Sequence, residues 1–386
     1  MSDPDLLAIS SGLKPLSRLQ HPHDVIRQFT PNWFTVVMGT GVVALALDRL
    51  SAMHAVLAAV SFGLWVAAGA IFAACCLLYA ARWIFFFKEA SRIFGDSTVS
   101  MFFGAIPMSS ATLLNGLLNF GPNCLGLAPA DIVLPLWWLD VALSVICAVA
   151  IPYLMFTRQE HRIDQMTAVW LLPVVAAEVV AVTGGLLAPV LSDPSQQLAV
   201  IVTSFVLWGV SVPLALSILA ILVLRMALHN LPPREMAASS WLSLGPLGTG
   251  ALGLLVLGQT GGNILAGHGL PAAPDTLRLV GLIGALILWG YGAWWLQLSL
   301  AVTVQYVRAG VPFNLGWWGY IFPLGVYSLA TLQLGDTVGV SGFAWLGALL
   351  VMLLGLIWVV VAALTLRGAY RGELFVAPCL AAKSPH

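Results

Sequence analysis

The chain has 386 residues, of which 60% are hydrophobic and only 8% are charged. Soluble domains carry about 25% charged residues, so this composition excludes an ordinary soluble protein and indicates an integral membrane protein. The 16 basic and 16 acidic residues balance, which gives no sign of a nucleic-acid-binding or polybasic surface role.

Ten stretches of the chain have the length and character of membrane-spanning helices, which need about 20 mostly apolar residues. In chain order they are 32–48, 56–81, 101–119, 134–157, 166–190, 198–224, 238–258, 278–304, 315–335 and 342–366. The fold class predicted from the sequence is therefore an all-α integral membrane protein with ten transmembrane helices.

The basic residues predict the direction of the chain in the membrane, because Lys and Arg are retained on the cytoplasmic side. With ten spans, fourteen of the sixteen fall on the side of the two termini, and only Arg49 and Arg278 fall on the other. We expect a cytosolic N-terminal segment (1–30) without a removable signal peptide, one transmembrane domain (31–367) and a cytosolic tail (368–386). The expected location is the plasma membrane, which is the inner membrane of a bacterium.

The odd-numbered spans share a pattern that the even-numbered spans lack. The third reads "FFGAIPMSSATLLNGLL", the fifth "WLLPVVAAEVVAVTGGLL", the seventh "WLSLGPLGTGALGLL" and the ninth "WWGYIFPLGVYSLAT". Each has an aromatic residue three to five positions before a proline, followed by small and hydroxylated residues. The prolines are Pro107, Pro173, Pro246 and Pro323, and the first span has Gly39 and Gly41 in their place. This internal repeat predicts five helical hairpins, each with one plain and one interrupted helix.

Proline inside a helix removes a backbone donor and kinks the helix. Backbone groups freed in this way are tolerated at membrane depth only where protein or a water-filled cavity satisfies them. We therefore expect the odd helices to lie inside, around a central pathway, and the even helices to face lipid. The alternative is that the prolines and small residues only help helices to pack. Recurrence in four of the five odd spans favours the pathway.

Lys and Arg are missing from the centres of the spans, so an anion on this pathway would be stabilised by hydroxyls, amides and helix dipoles. The candidate pore-lining side chains are Thr35, Thr40, Ser109, Ser110, Thr112, Asn115, Thr183, Ser243, Thr249, Tyr327, Ser328 and Thr331.

Glu178 is the exception to this uncharged interior. At 1.5 Å per residue it lies about 18 Å into the fifth span, close to the bilayer midplane. An ionisable residue at that depth is costly and usually marks a function. Because an ionised carboxylate would repel an anion, Glu178 is either protonated, exchanges a proton during transport, or is a neutral packing residue bonded between helices.

Several motifs carry no chemistry here. The stretch "GTGALG", Gly248–Gly253, fits a dinucleotide fingerprint but lies inside a span rather than after a strand. The five cysteines form no CxxC pair and the histidines are scattered, so we predict no metal site and no cofactor. An enzyme is not expected, because one central Glu is too few groups for a catalytic site.

The stretch "FTPNWFTVVMGTGVVALAL" (29–47), the ten spans and the "WWGYIFP" segment resemble the tellurite-resistance/dicarboxylate transporter family. That family includes plant slow anion channels, fungal malate permeases and fungal sulfite efflux pumps. The resemblance implies a pseudo-fivefold ring of five hairpins around a central pore, usually as a homotrimer. It also implies that Phe322, directly before Pro323, is the pore gate. Gly39 and Gly41 would give its ring space.

The expected function is transport of small anions, such as a C4-dicarboxylate, sulfite, chloride or nitrate. Three mechanisms remain open at the sequence level. One is a passive channel gated by Phe322. Another is a proton-coupled carrier that uses Glu178, and the third is a resistance exporter of tellurium oxyanions or lipophilic cations. The expected partners are the small anion and the lipid bilayer.

Overall fold

The computed structural model describes residues 14–126 and 128–380, which contain helices and turns but no β-strand. The first thirteen residues of the predicted N-terminal segment and the last six of the predicted tail lie outside the described residues. Ten helices of 15 residues or more follow one another: α1 Phe34–Asp48, α2 Ala55–Phe85, α3 Ala105–Leu125, α4 Ala130–Thr157, α5 Leu172–Leu187, α6 Pro194–His229, α7 Leu244–Gly267, α8 Ala273–Ala309, α9 Ile321–Val338 and α10 Ser341–Arg371.

Each predicted span overlaps one of these helices. Within the described residues, eight helices are long and apolar enough to cross a membrane. The other two are α1, with 15 residues, and α9, with 18. The even helices are longer than predicted and reach 28 to 37 residues. A 37-residue helix is about 55 Å long, so it extends beyond a hydrocarbon core of about 30 Å.

Each odd helix is preceded directly by a 3₁₀ segment, a regularity that the sequence did not reveal. These segments are Pro31–Trp33, Val99–Gly104, Ala168–Leu171, Arg234–Ser243 and Leu315–Tyr320. The four repeated prolines lie at the second or third residue of α3, α5, α7 and α9. Each of these prolines thus lies close to the point where 3₁₀ geometry changes to α geometry within a continuous helical segment. That they kink the inner helices stays a prediction.

Burial separates the two sets of helices as predicted. In the segment 168–190, which contains α5, 94% of the 18 most apolar consecutive residues are buried. In the segment 234–267, which contains α7, the same share is 83%. The share is 11% for α2 and 28% for α8. Large apolar side chains such as Leu77, Ile287 and Leu356 are exposed on even helices. The odd helices are thus the interior of the bundle, and the even helices carry an apolar outer face suited to lipid.

The odd helices contact one another in a closed order. Helix α1 contacts α3, α3 contacts α5, α5 contacts α7, α7 contacts α9, and α9 returns to α1. At each contact a glycine lets the partner approach so closely that a Cβ would lie within 3 Å of it. The pairs are Gly41 with Thr112, Gly104 with Leu172, Gly185 with Val256, Gly248 with Tyr327, and Gly325 with Val42. Small residues at helix contacts are the usual device for close packing in membranes, where burial provides no hydrophobic driving force.

Five tryptophans attach the outer helices to the inner ones. Each even helix has an indole N–H that donates to the odd helix of the next hairpin. The pairs are Trp65 with the Leu113 carbonyl, Trp137 with the Val180 carbonyl, Trp208 with the Gly250 carbonyl, Trp289 with Thr331 Oγ1, and Trp358 with Thr40 Oγ1. Within a hairpin, the two helices pack directly. The tryptophans therefore join neighbouring hairpins, with the last hairpin joined to the first.

Candidate anion pathway

The beginnings of the five odd helices enclose a vestibule, a cavity of about 390 Å³. All five contribute to its wall. The lining residues from these segments include Asn32, Thr35 and Met38 before and in α1, Val99 and Phe102 before α3, Val169 and Leu172 at α5, Ser239 and Leu242 before α7, and Phe313, Leu315 and Gly319 before α9. The vestibule is therefore shared by all five hairpins.

The charged residues of the vestibule wall are two glutamates, and both are paired. Glu235 lies 3.4 Å from Arg234. Glu373 lies 3.8 Å from Arg371 and 3.7 Å from Arg18. Adjacent guanidinium groups offset the carboxylates, so this mouth of the bundle does not present an uncompensated negative field to an anion.

The predicted C-terminal tail forms part of this wall. Helix α10 continues to Arg371, and Glu373, Leu374, Val376 and Pro378 then line the vestibule. Phe375 between them stacks on Trp33 with ring centroids 5.0 Å apart. The segment is thereby held against the start of the first hairpin.

Phe322 is the second residue of α9 and is 3% exposed. It follows Gly319, a vestibule residue, by three positions, so it lies on the same face one turn deeper. On α7 the same relation links Leu242, also in the vestibule wall, to Gly245. A Cβ built on Gly245 would meet no atom within 4 Å, although the residue is buried. Gly245 and Phe322 are both second residues of their helices, so an aromatic ring and an open space occur at the same level of the repeat.

The two glycines predicted to give the Phe322 ring space have other neighbours. A Cβ on Gly39 would lie 2.5 Å from the Trp318 ring, and a Cβ on Gly41 would lie 2.6 Å from Thr112 Cγ2. In this structure the two glycines make room for Trp318 and Thr112. Their part in any movement of Phe322 stays a prediction.

Most of the predicted pore-lining hydroxyls already use their protons. Four of them donate to the carbonyl four residues earlier on the same helix: Ser109 to Ala105, Thr112 to Met108, Thr183 to Val179 and Ser328 to Leu324. A hydroxyl has one proton to donate, so these four groups would have to give up a helix bond to donate to an anion. Thr40 instead accepts the indole proton of Trp358.

Two hydroxyls on the α7 side are free. Ser243 and Thr249 are 0% and 1% exposed, and their oxygens have no hydrogen-bond partner. Thr249 follows Gly245 by four residues and therefore continues the face that begins in the vestibule at Leu242. A buried, unpartnered hydroxyl is unusual, because leaving it unpaired costs free energy. Ser243 and Thr249 thus differ from the back-bonded hydroxyls of the other inner helices.

The structure places Glu178 away from that face. Its carboxylate is fully buried, and both oxygens lack a hydrogen-bond partner. The hydroxyl of Ser211 on α6 is a polar neighbour. A Cβ built on Gly250 of α7 would lie 3.8 Å from Glu178 Oε2, beside Leu288 and Val212 of the outer helices. Glu178 thus points between α5, α6 and α7 toward the outer layer.

The glycines of "GTGALG" act in helix packing. Gly248 meets the Tyr327 backbone, the Gly250 carbonyl accepts the Trp208 indole proton, and Gly253 adjoins the same indole. Within residues 14–126 and 128–380, no group of three or more His, Cys, Asp or Glu side chains is arranged to hold a metal ion.

An all-helical bundle with eight candidate spans, an apolar outer layer and an inner layer that opens into a vestibule defines a multi-pass membrane transport protein. The chain belongs to the voltage-dependent anion channel family (SLAC1), which matches residues 28–366. This confirms the resemblance found in the sequence and places the chain in an anion transporter family of channels and transporters, not of enzymes.

Relatives with curated descriptions include both fungal and archaeal proteins. The sulfite efflux pump SSU1 of Arthroderma otae is 34% identical over 91% of this chain and 93% of its own. An uncharacterized transporter of Methanocaldococcus jannaschii is 28% identical over 91% of this chain and 96% of its own. The malic acid transport protein of Schizosaccharomyces pombe is 22% identical over 90% of this chain and 80% of its own.

Proposed function

We propose that this protein moves small anions across the membrane through a pathway enclosed by the five odd helices and closed at Phe322. All ten helices would span the membrane, as five hairpins in a pseudo-fivefold ring. The observation that carries the proposal is the vestibule, which all five hairpins line and which leads on α9 from Gly319 to the buried ring of Phe322. The closed order of contacts among the odd helices supports the ring.

Two features of the pathway suit an anion: the vestibule does not bind it tightly, and a neutral hydrogen-bond donor lies farther along. Among the residues that the structure describes, no Lys or Arg lines the vestibule, so these residues do not hold an anion tightly there. Beyond Phe322, the free hydroxyl of Thr249 offers a neutral donor. Weak binding by neutral groups permits release as well as uptake, which conduction requires. A ring near mid-membrane closes a narrow pathway sterically and by dewetting.

Sulfite is the substrate we favour, and malate is the second. The relatives at 34% identity are named sulfite efflux pumps, whereas the malic acid transport protein is 22% identical. We further propose that the protein lies in the plasma membrane with both termini in the cytoplasm and assembles as a homotrimer.

The test is anion flux in proteoliposomes, with sulfite, malate, chloride and nitrate supplied in turn. Phe322→Ala is expected to raise flux about tenfold or more, because it removes the ring that closes the pathway. The matched control is Phe313→Ala, which changes an aromatic residue of the vestibule wall and leaves the closure in place. Absence of flux for every anion in both the wild type and Phe322→Ala would refute the pathway.

A proton-coupled carrier is the second candidate, and the observation that favours it is the fully buried, unpartnered Glu178. Such a carrier would take up one anion under a pH gradient and would not be opened by Phe322→Ala. The flux measurement, repeated with and without a pH gradient, separates the two mechanisms.

A further inference from the structure

Arg49 and Arg278 are the two basic residues predicted to lie on the side of the membrane opposite to the termini. Both lie at the end of the bundle that is far from the vestibule. Arg278 lies near the start of α8 and lines a cavity of about 150 Å³ with Leu255, Gln259, Gln333, Asp336 and Thr337. Arg49 follows α1 and contacts two residues of this cavity wall: it donates to Gln333 Oε1 at 3.0 Å and pairs with Asp336. Arg49 is therefore joined through Gln333 and Asp336 to the cavity that Arg278 lines.

Among the described residues that line this cavity, Asp336 is the one carboxylate, and Arg49 is paired with it. Among the residues that the structure describes, Arg278 has neither an ion pair nor a hydrogen bond. A free guanidinium that lines a polar cavity keeps five N–H donors in a fixed planar fork.

The amides add neutral donors. Because Gln333 Oε1 accepts from Arg49, the acceptor end of this amide is occupied and its NH₂ group is directed elsewhere. Gln259 brings a second amide from α7. A guanidinium beside primary amides is a donor set for an oxygen-bearing anion, since arginine binds planar or pyramidal oxyanions through two parallel bonds.

We propose that Arg278, Arg49, Gln259 and Gln333 form a binding site for a small oxyanion, such as sulfite or a carboxylate, at the outer mouth of the pathway. The role of the site is to exchange the anion between the pathway and the outer solution, and this role rests on the proposed function. A volume of about 150 Å³ holds a small oxyanion with a few waters, each of which takes about 30 Å³.

Asp336 acts as a counterion that competes with the substrate for Arg49. Its side chain is 64% exposed, so it can leave the arginine when an anion arrives. Occupancy of the site is therefore weak and sensitive to salt, as suits a site that must release its ligand.

The test measures sulfite flux in sided membrane patches, with sulfite supplied from one face at a time at constant ionic strength. Arg278→Gln is expected to raise the half-saturating sulfite concentration at the outer face about two- to fivefold, the scale of a solvent-exposed charge contact. It should not change the value at the other face. Asp336→Asn is expected to lower the outer value. Arg308→Gln, an exposed arginine at the opposite end of α8, is the control.

A second measurement keeps the inference separate from the transport proposal. Sodium sulfite is expected to raise the melting temperature of the detergent-solubilised wild type above that in sodium chloride of equal ionic strength, and Arg278→Gln should reduce the rise. Binding without flux would refute the proposed function and leave the site standing. Equal half-saturating concentrations and equal melting shifts in the wild type and Arg278→Gln would overturn the site.

Discussion

The indole N–H of Trp358, on the last helix, donates to Thr40 Oγ1 on the first helix across 3.2 Å. These two residues are 318 positions apart. The bond completes the series in which each outer tryptophan donates to the inner helix of the next hairpin, so the series of bonds closes from the last hairpin to the first.

Removal of one of these bonds tests their contribution. Trp137→Phe is expected to lower the free energy of unfolding by about 1–3 kcal/mol, because it deletes the bond to the Val180 carbonyl and leaves a small cavity. The melting temperature of the helical circular dichroism signal in detergent is the measurement. Trp138→Phe is the matched control, since the adjacent Trp138 is 41% exposed. Equal losses in the two variants would contradict the assignment.

Two glycines of α7, three residues apart, should respond differently to the same change. A Cβ on Gly248 would lie 2.7 Å from the Tyr327 nitrogen, which is backbone and cannot move aside, whereas a Cβ on Gly245 meets nothing within 4 Å. Gly248→Ala is expected to cost about 1–3 kcal/mol of stability, and Gly245→Ala should be neutral or slightly stabilising. Thermal unfolding of both variants decides this. A tolerated Gly248→Ala would mean that α7 and α9 are less closely packed than the structure shows.

The open space at Gly245 also predicts an effect on transport. If Phe322 closes the pathway at the level of Gly245, a larger side chain at position 245 should obstruct the pathway that Phe322→Ala opens. Gly245→Leu in the Phe322→Ala background is expected to reduce anion flux to near the wild-type level. Gly290→Leu is the control, because Gly290 lies on outer helix α8 and also faces open space. Undiminished flux in the double variant would place the constriction elsewhere.

Glu178 distinguishes the two transport mechanisms. Because its carboxylate lies between α5, α6 and α7, beside outer-layer side chains, we expect Glu178→Gln to leave both the anion flux and its response to a pH gradient unchanged. The measurement is proteoliposome flux at equal and unequal internal and external pH. Loss of a proton-driven component in this variant would instead support the carrier.

An ion pair at the end of the bundle predicts a pH-dependent stability. Arg27 donates to both oxygens of Glu89, at 2.7 and 3.0 Å, and this bond holds the pKa of Glu89 below its ordinary value of 4.5. A carboxyl with a lowered folded-state pKa stabilises the fold above its unfolded pKa and loses that contribution as pH falls through the folded value.

Arg27→Gln should therefore destabilise the protein at neutral pH, and the difference from the wild type should shrink below about pH 4.5. Melting temperatures across pH 3–8 provide the test. Arg158→Gln, an exposed arginine at the end of α4, is the control and should show no such trend. A difference that persists unchanged at pH 3 would show that Arg27 stabilises the fold through packing.

Much of the architecture could be predicted from local sequence. Each of the ten apolar stretches became one helix, and the recurring aromatic–proline–hydroxyl pattern identified the inner helices. The pattern was less informative about geometry. It gave no sign of the 3₁₀ segment that precedes the helix of Pro323 and of each of its counterparts.

What the sequence by itself determined is the class of protein, the helix positions and the division into inner and outer helices, because these follow from composition and short-range pattern. The tertiary structure decided which residues meet. It left open space beside Gly245, turned Glu178 toward the outer layer and joined Arg49 to two residues of the cavity that Arg278 lines. Those meetings depend on the rotation of each helix about its axis. In a membrane protein that rotation leaves little trace in hydrophobic periodicity, since lipid and protein interior are both apolar.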